Sequence, residues 1–477
     1  MDRLRRTLVF SLPAATWLPS NAAANPATEE LEGRIVERAR ELSAKGNPVL
    51  EILAPEGCEA NVQPTLDSFG SKTGLSTRLH LVPVDDVNTR LILAARRRMS
   101  YDLALPATYG LADLAEANAI QPLGGYQAAL ETDDPGARGL YPLGDYYHGQ
   151  IYGFQTDGDV YVMFYNREIL EDPQLSEEFE RRFGESPQPA RSFSDLDRLL
   201  AFYHRPSEGI FGGNLFRTPQ YIAWEYWIRL HAQHVLPFDA DMRPMLTTEG
   251  ALRAAEDLAN ASKYLTPNAA TASLTESWQT FAGGRVMCTI GWGGSQKFFR
   301  NNSTQLRKGV VTAGTPYNDI DSSSAAFSYF NWGWNFAVPS SAKHPELGFL
   351  LARYAVLPSH STTAVGQANG FFDPFHAEHY QCPIIRKIYG TEFLQIHSRS
   401  MENALPDLYL RGQSQYMSIL SDHLLQIDRR EISPAAAMEA VAAQWEDLTE
   451  LIGRSEQIRQ WRLLLEQYPA ATRGWVS

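Results

Sequence analysis

Two aspartates one glycine apart, Asp157 and Asp159, stand at the mouth of the apolar run Val160–Tyr165. On an extended segment, side chains two positions apart point the same way, so the two carboxylates act together. That geometry suits accepting hydrogen bonds from hydroxyls, or pairing with a ligand cation. It suits hydrolysis less well, because a glycosidase sets its two carboxyls on either side of a bond, about 5 to 9.5 Å apart. Gly158 leaves a plainer alternative, a turn in which aspartates are favoured.

Large rings beside glycines form a second set. They are Trp292 in Gly291-Trp-Gly-Gly294, Trp332 and Trp334 in Asn331-Trp-Gly-Trp-Asn335, and Phe372 in Asn369-Gly-Phe-Phe-Asp373. Glycine next to a ring lets a ligand approach backbone and ring face together. An indole face offers sugar C–H groups an apolar platform while carboxylates and amides take the hydroxyls. Any single ring would fill a core gap equally well, but three such motifs favour a pocket. Glu56, after the first strand, and Tyr109, after the third, lie beyond strand carboxyl ends, where ligands of open α/β sheets sit.

Other patterns carry no chemistry. His231/His234 and His376/His379 have a His-x-x-His spacing but no His-Glu-x-x-His frame, and read as exposed helical pairs rather than metal ligands. Ser295 lacks a nucleophile elbow, and Gly70-Ser-Lys-Thr73 lacks the earlier glycine of a phosphate loop. Neither an enzyme, a metal site nor a cofactor is expected.

The 477 residues exceed what one growing core accommodates, so two lobes are expected. A net charge of −13 argues against nucleic acid or an anionic membrane face as partner. Residues 1–24 read as an export signal, with Arg3, Arg5 and Arg6, the mostly apolar Leu8–Leu18, and Ala22-Ala23-Ala24 at the cleavage point. Cleavage would remove one Asp and three Arg, leaving −15. Cys58, Cys288 and Cys382 permit at most one bridge and have no metal-site spacing; small buried hydrophobes is their simplest reading.

These residues must be positioned by something, and the pattern is α/β. A charged amphipathic helix over residues 29–45 precedes the first strand, Val49–Ala54. Strand and helix then alternate: a helix sharing Val62, Leu66 and Phe69, a strand at 79–84, a helix at 86–98, a strand at 101–105 and a helix at 111–117. A parallel sheet follows from that alternation. After Asn166 the pattern turns helical, with Thr247-Thr-Glu249 capping one helix, before strands at 285–290 and 334–338 separated by a loop-rich stretch, 301–324. Helices at 345–354, 413–426, 434–451 and 458–468 complete the chain.

In order along the chain, Phe69-x-x-Lys72-Thr-Gly74, Asp102, Gln121-Pro-Leu123, Tyr152–Asn166, Leu246-Thr-Thr-Glu249, Phe281–Met287, Gly291-Trp292, Gly333–Pro339 and Ile432–Met438 form a series. It resembles the family 1 extracellular solute-binding proteins of sugar-type ABC importers, the maltose-binding-protein class, from about Val49 to Leu451. The resemblance implies a periplasmic-binding-protein-like fold, with two α/β lobes, a ligand cleft and several hinge crossings. The lobes would be 47–157 plus 325–385 and 158–324 plus 386–477, with 25–46 as an extra N-terminal helix. It also implies sugar contacts from Asp159, from the Tyr109 and Trp292 loops, and from Tyr416 on a C-terminal helix. The expected function is an exported, periplasmic, monomeric binding protein that delivers a sugar, oligosaccharide or polyol to ABC transporter membrane subunits. A polyamine-type cation binder and an exported glycan hydrolase are the alternatives.

Overall fold

The computed structural model describes residues 26–44, 46–97, 99–130, 139–317, 329–331, 333–472 and 474–475. The export-signal reading of residues 1–24 and the candidate Trp332 lie outside the described residues.

The strands, in chain order, are β1 (Val49–Pro55), β2 (Ser76–Val82), β3 (Leu103–Ala104), β4 (Tyr146–Tyr147), β5 (Gln150–Ile151), β6 (Gly153–Gln155) and β7 (Val162–Asn166). Then come β8 (Phe211–Asn214), β9 (Val286–Gly291), β10 (Val310–Gly314), β11 (Tyr329–Asn331), β12 (Asn335–Ala337) and β13 (Ala404–Pro406). One sheet has the order β2-β1-β3-β12-β6, the other β10-β7-β9-β8. The parallel expectation holds for β2-β1-β3, where strand–helix alternation returns the chain in the same direction. It fails for β12, which enters from the far side and runs antiparallel to both β3 and β6. The second sheet is likewise mixed: β8 and β9 are parallel, while β7 and β10 run against their neighbours.

Each lobe is recognisable from its residues. β7 is buried at all five positions, as its β-branched and aromatic run requires for a strand inside a sheet. Helix Glu249–Ala261 starts where expected, with Thr248 Oγ1 accepting the Ala251 N–H. The N-terminal helix Pro26–Ser43 buries Leu31, Ile35, Val36 and Ala39 against helices Glu59–Thr73 and Pro345–Ala355. The C-terminal helices Gln413–Asp428 and Pro434–Ile452 pack on Ile222–Ala232 and Glu249–Ala261 in the helical lobe.

Three segments carry the chain between the sheets. Residues 156–161 join β6 to β7, and 315–334 join β10 to β12. Residues 366–382 lead from helix Pro358–Val365, packed on Glu59–Thr73, to helix Pro383–Tyr389, packed on Gly293–Asn302. The Asp157-Gly-Asp159 motif is therefore on the first crossing, between two sheets rather than within one.

Candidate functional site

The floor of the site is made where crossings meet. Carboxyl oxygens of Asp157, Asp159 and Asp373 all lie within 4.8 Å of one another, and all three residues are buried. Asp157 Oδ1 accepts the Asp373 N–H at 2.6 Å, tying the first crossing to the third. Asp373 accepts from the Gly293 N–H at 2.6 Å and from the Tyr389 hydroxyl at 2.9 Å. The Asp159 carboxyl stands beside that of Asp373, within the same 4.8 Å.

Glycine is needed here for space. A Cβ on Gly158 would stand 2.0 Å from the Pro374 carbonyl oxygen, and one on Gly293 would stand 2.4 Å from Asp373 Oδ1. The Gly158 carbonyl is also held from the far side by His397 Nε2 at 2.9 Å, while His397 Nδ1 meets the Tyr380 hydroxyl at 2.8 Å. Burial lowers His397 to about 4, so the neutral ring donates from Nε2 and accepts at Nδ1.

Lys297, on helix Gly293–Asn302, is the counter-charge. Its side chain is buried; Nζ donates to the carbonyls of Val365 (3.0 Å) and Phe372 (2.8 Å) and sits 5.0 Å from the Tyr389 ring centre. One ammonium cannot balance three carboxylates in a dry setting. Burial, then repulsion from Asp373, holds the Asp157 carboxyl well above the ordinary range; burial, then repulsion from Asp157, does the same for Asp159. Asp373 is raised to about 6 by burial, opposed by Lys297 and its hydrogen-bond donors. Lys297 itself is lowered to about 8 by burial. At neutral pH the cluster keeps protons that free carboxylates would lose. Its spacing resembles a metal site, but Lys297 occupies the electrostatic role a cation would take, so the donor set does not fit a metal. Nor do the aspartates flank a bond as hydrolytic carboxyls do; they converge on one another.

Above this floor a cleft of about 750 Å³ lies between the lobes. Of the sequence candidates, Glu56, Asp159, Trp292 and Trp334 line it. Trp292 packs against Tyr161 (4.8 Å between ring centres), Phe216 (5.6 Å) and Tyr221 (6.1 Å), and Trp334 tilts on Phe371 at 6.4 Å. Both indoles are almost fully buried, so each is at once cleft wall and core.

The remaining candidates sit elsewhere. Asp157 lies under the floor, and Phe372 is buried beside it; its carbonyl, rather than its ring, serves the site, and the cleft ring is the neighbouring Phe371. Tyr109 is half-buried against Trp224 at 5.6 Å. Tyr416 is wholly buried in a core cluster with Trp445 and Phe238, its hydroxyl 2.7 Å from Thr449 Oγ1, because its helix turns that face inward. The paired histidines are mostly buried rather than exposed: His379 Nε2 meets Ser361 Oγ at 3.0 Å, and His231 Nδ1 meets the Trp227 carbonyl at 2.6 Å. All three cysteines are unbridged; Cys58 and Cys288 are buried and Cys382 is half-buried.

Sequence reasoning missed Asp85, Thr218, Tyr221, Trp278 and Lys297, all at the cleft. Asp373 lay within a quoted motif but was not singled out. Its role depends on an aspartate 216 positions away, for which spacing gives no signal.

The model of the bacterial extracellular solute-binding protein family matches residues 65–381. No curated protein matches the sequence. Among solved structures, an ABC transporter solute-binding protein from Thermotoga lettingae bound with α-D-tagatose aligns with TM-score 0.69 at 18% identity, covering 84% of this chain and 99% of that one. One from Agrobacterium radiobacter in complex with ribitol gives TM-score 0.70 at 14% identity, covering 84% and 98%. One from Agrobacterium vitis with bound D-mannitol gives TM-score 0.69 at 15% identity, covering 85% and 99%. At these identities the likeness establishes a shared two-lobed fold.

Proposed function

We propose that this chain, which belongs to the bacterial extracellular solute-binding protein family, is the binding component of an ABC importer for a sugar, oligosaccharide or polyol. The observation that carries this reading is the 750 Å³ interlobe cleft, with indole and phenyl walls over a carboxyl-lined floor. Rings give C–H platforms, and the polar groups between them take hydroxyls. The structural neighbours were solved with tagatose, ribitol and mannitol bound, which are small polyhydroxylated molecules.

The closing lobes are residues 47–157 plus 325–385 and 158–324 plus 386–477. A ligand touching both lobes favours the form in which both contacts exist, so binding and closure are one equilibrium. The mature protein is a periplasmic monomer released by cleavage near Ala24, and it presents its closed form to the transporter's membrane subunits. No bond is broken in this mechanism, and the buried aspartates serve as acceptors and structural ties.

A thermal-shift screen of the purified mature protein against sugars and polyols tests the reading, because a ligand bound only to the folded form raises the melting temperature. A rise of several degrees with at least one sugar or polyol is expected. Absence of any shift across mono-, di- and oligosaccharides and alditols, or turnover of a glycan, would defeat it.

A further inference from the structure

The two indoles nearest the floor have little face left to offer. Trp292 is 3% exposed and Trp334 1%, so neither has an open side for a sugar ring to cover. The rings that keep one stand further along. Trp278 and Phe298 are half-buried, line the cleft, and lean on each other with ring centres 5.5 Å apart at 46°.

These two rings belong to a trough. On helix Gly293–Asn302 the cleft-lining residues Gly294, Phe298 and Asn302 are spaced four apart, which makes one stripe along the helix. At about 1.5 Å per residue, the stripe runs about 12 Å away from the Trp292 end, farther than one sugar ring reaches. One bank is helix Leu274–Ala282, packed alongside, which brings Thr275 and Trp278 to the cleft. The other bank is the crossing segment at Ala368–Phe371. That segment is pinned to the trough's own helix. Asn301 Nδ2 donates to the Ala368 carbonyl at 2.8 Å, and Lys297 Nζ donates to the carbonyls on either side, those of Val365 and Phe372. Asn61 Oδ1, on helix Glu59–Thr73, accepts the Phe371 N–H at 2.9 Å. Gly294 permits the close approach, since a Cβ there would stand 3.0 Å from Phe371 Cβ.

The trough is also short of charge. Its exposed polar residues Thr275, Asn302 and Asn369 carry a hydroxyl and two amides. Glu276, at the rim, spends its carboxylate on Ser273, accepting the backbone N–H at 2.8 Å and the hydroxyl at 2.9 Å. Open ring faces edged by uncharged hydrogen-bonding groups suit a neutral sugar unit. The 750 Å³ cleft has room for several such units in a row.

We infer that the ligand is a linear oligosaccharide of at least three units. One unit sits over the Asp159 floor and the next two run down the trough, the outermost stacked on Trp278 and Phe298. This rests on the sugar-binding reading above and narrows it, setting aside single sugars and alditols as the preferred ligand.

The test is calorimetric titration of the mature protein with length series: glucose, maltose and maltotriose; glucose, cellobiose and cellotriose; xylose, xylobiose and xylotriose; with mannitol and ribitol as alditols. In at least one series the trisaccharide should bind about ten-fold or more tighter than the monosaccharide. Trp278→Ala should remove most of that gain while leaving monosaccharide binding within about two-fold. Thr275→Trp, a change at an exposed helix position, should remove it too by filling the trough, with the melting temperature of the ligand-free protein unchanged. Monosaccharides binding as tightly as trisaccharides, or an alditol binding tightest, would overturn the inference while leaving the sugar reading intact. A trisaccharide preference that survives both variants would overturn the placement in the trough. Silence across all sugars and alditols would remove both readings together.

Discussion

Two buried ionic clusters in this molecule are built on opposite plans. In the helical lobe, Glu225 lies between Arg217 (2.5 Å) and Arg229 (3.1 Å), and Arg229 reaches Asp197 at 3.1 Å. The remaining Arg217 donors go to the Phe216 and Leu258 carbonyls and to Ser262 Oγ. That cluster is charge-paired and hydrogen-bonded throughout. At the crossings, three carboxyls share one ammonium, and Asp157 Oδ2 is left without a partner. The difference teaches that burial alone does not decide how a carboxyl is accommodated. Adjacent guanidinium groups pair with one set, while scarcity of positive charge makes the other hold protons.

The largest effect should follow from breaking the paired cluster. Glu225→Gln leaves two buried guanidinium groups facing each other without their shared anion, at a cost of about 3–5 kcal/mol, read as a lower urea midpoint. A change below about 1 kcal/mol would show that the two clusters are not different in kind.

Acidity gives an intermediate test. Burial raises Asp145 to about 8, Asp407 to about 7 and Asp373 to about 6. A carboxyl with a raised folded value binds protons that the unfolded chain has released. Its stabilising contribution is therefore complete below the unfolded value, near 4, and is lost as pH rises through the folded one. His231 and His397, both lowered to about 4, work in the opposite sense, but mainly below the unfolded histidine value of about 6.5. Between pH 8 and 6.5 Lys297, lowered to about 8, and the first protonation of those histidines in the unfolded chain oppose the carboxyls. The raised carboxyls outnumber them and carry the larger shifts, so acidification across that window should still stabilise the protein, by about 1–2 kcal/mol. A flat or falling melting temperature there would contradict the assignment, and Asp145→Asn should flatten the slope.

The smallest effect distinguishes the clusters best. Asp157→Asn replaces an acid that burial already holds neutral with an amide of the same shape, so it should cost less than about 1 kcal/mol. A loss as large as that of Glu225→Gln would mean that Asp157 is ionised in the native protein.

Much of the architecture was readable because it is local. The β1-to-β3 alternation, the Thr248 cap and the apolar run of β7 each declare themselves within a few residues. β8 did not, since Phe-Gly-Gly-Asn has poor strand propensity. Its Gly212 is there because a Cβ would lie 2.2 Å from the Leu200 carbonyl on the helix packed over it, a demand visible only in three dimensions. β10 was hidden for a similar reason, inside a stretch read as loop, where pairing with β7 outweighs local preference. At the site, Asp159, Trp292 and Trp334 were marked by adjacent glycines. Thr218 and Lys297 carry no such mark, and Tyr416 was misplaced because a helix-level likeness does not say which face turns inward.

The missing space at Gly158 bears on how far this binding site can be reshaped. With the Pro374 carbonyl against one side of the glycine and the His397 ring gripping its own carbonyl, no side chain fits at that point without parting two strands of backbone. Variation in what the protein recognises must then be confined to the rim, at positions such as Glu56, Asp85, Thr218 and Phe371, while the keystone beneath stays common to every version.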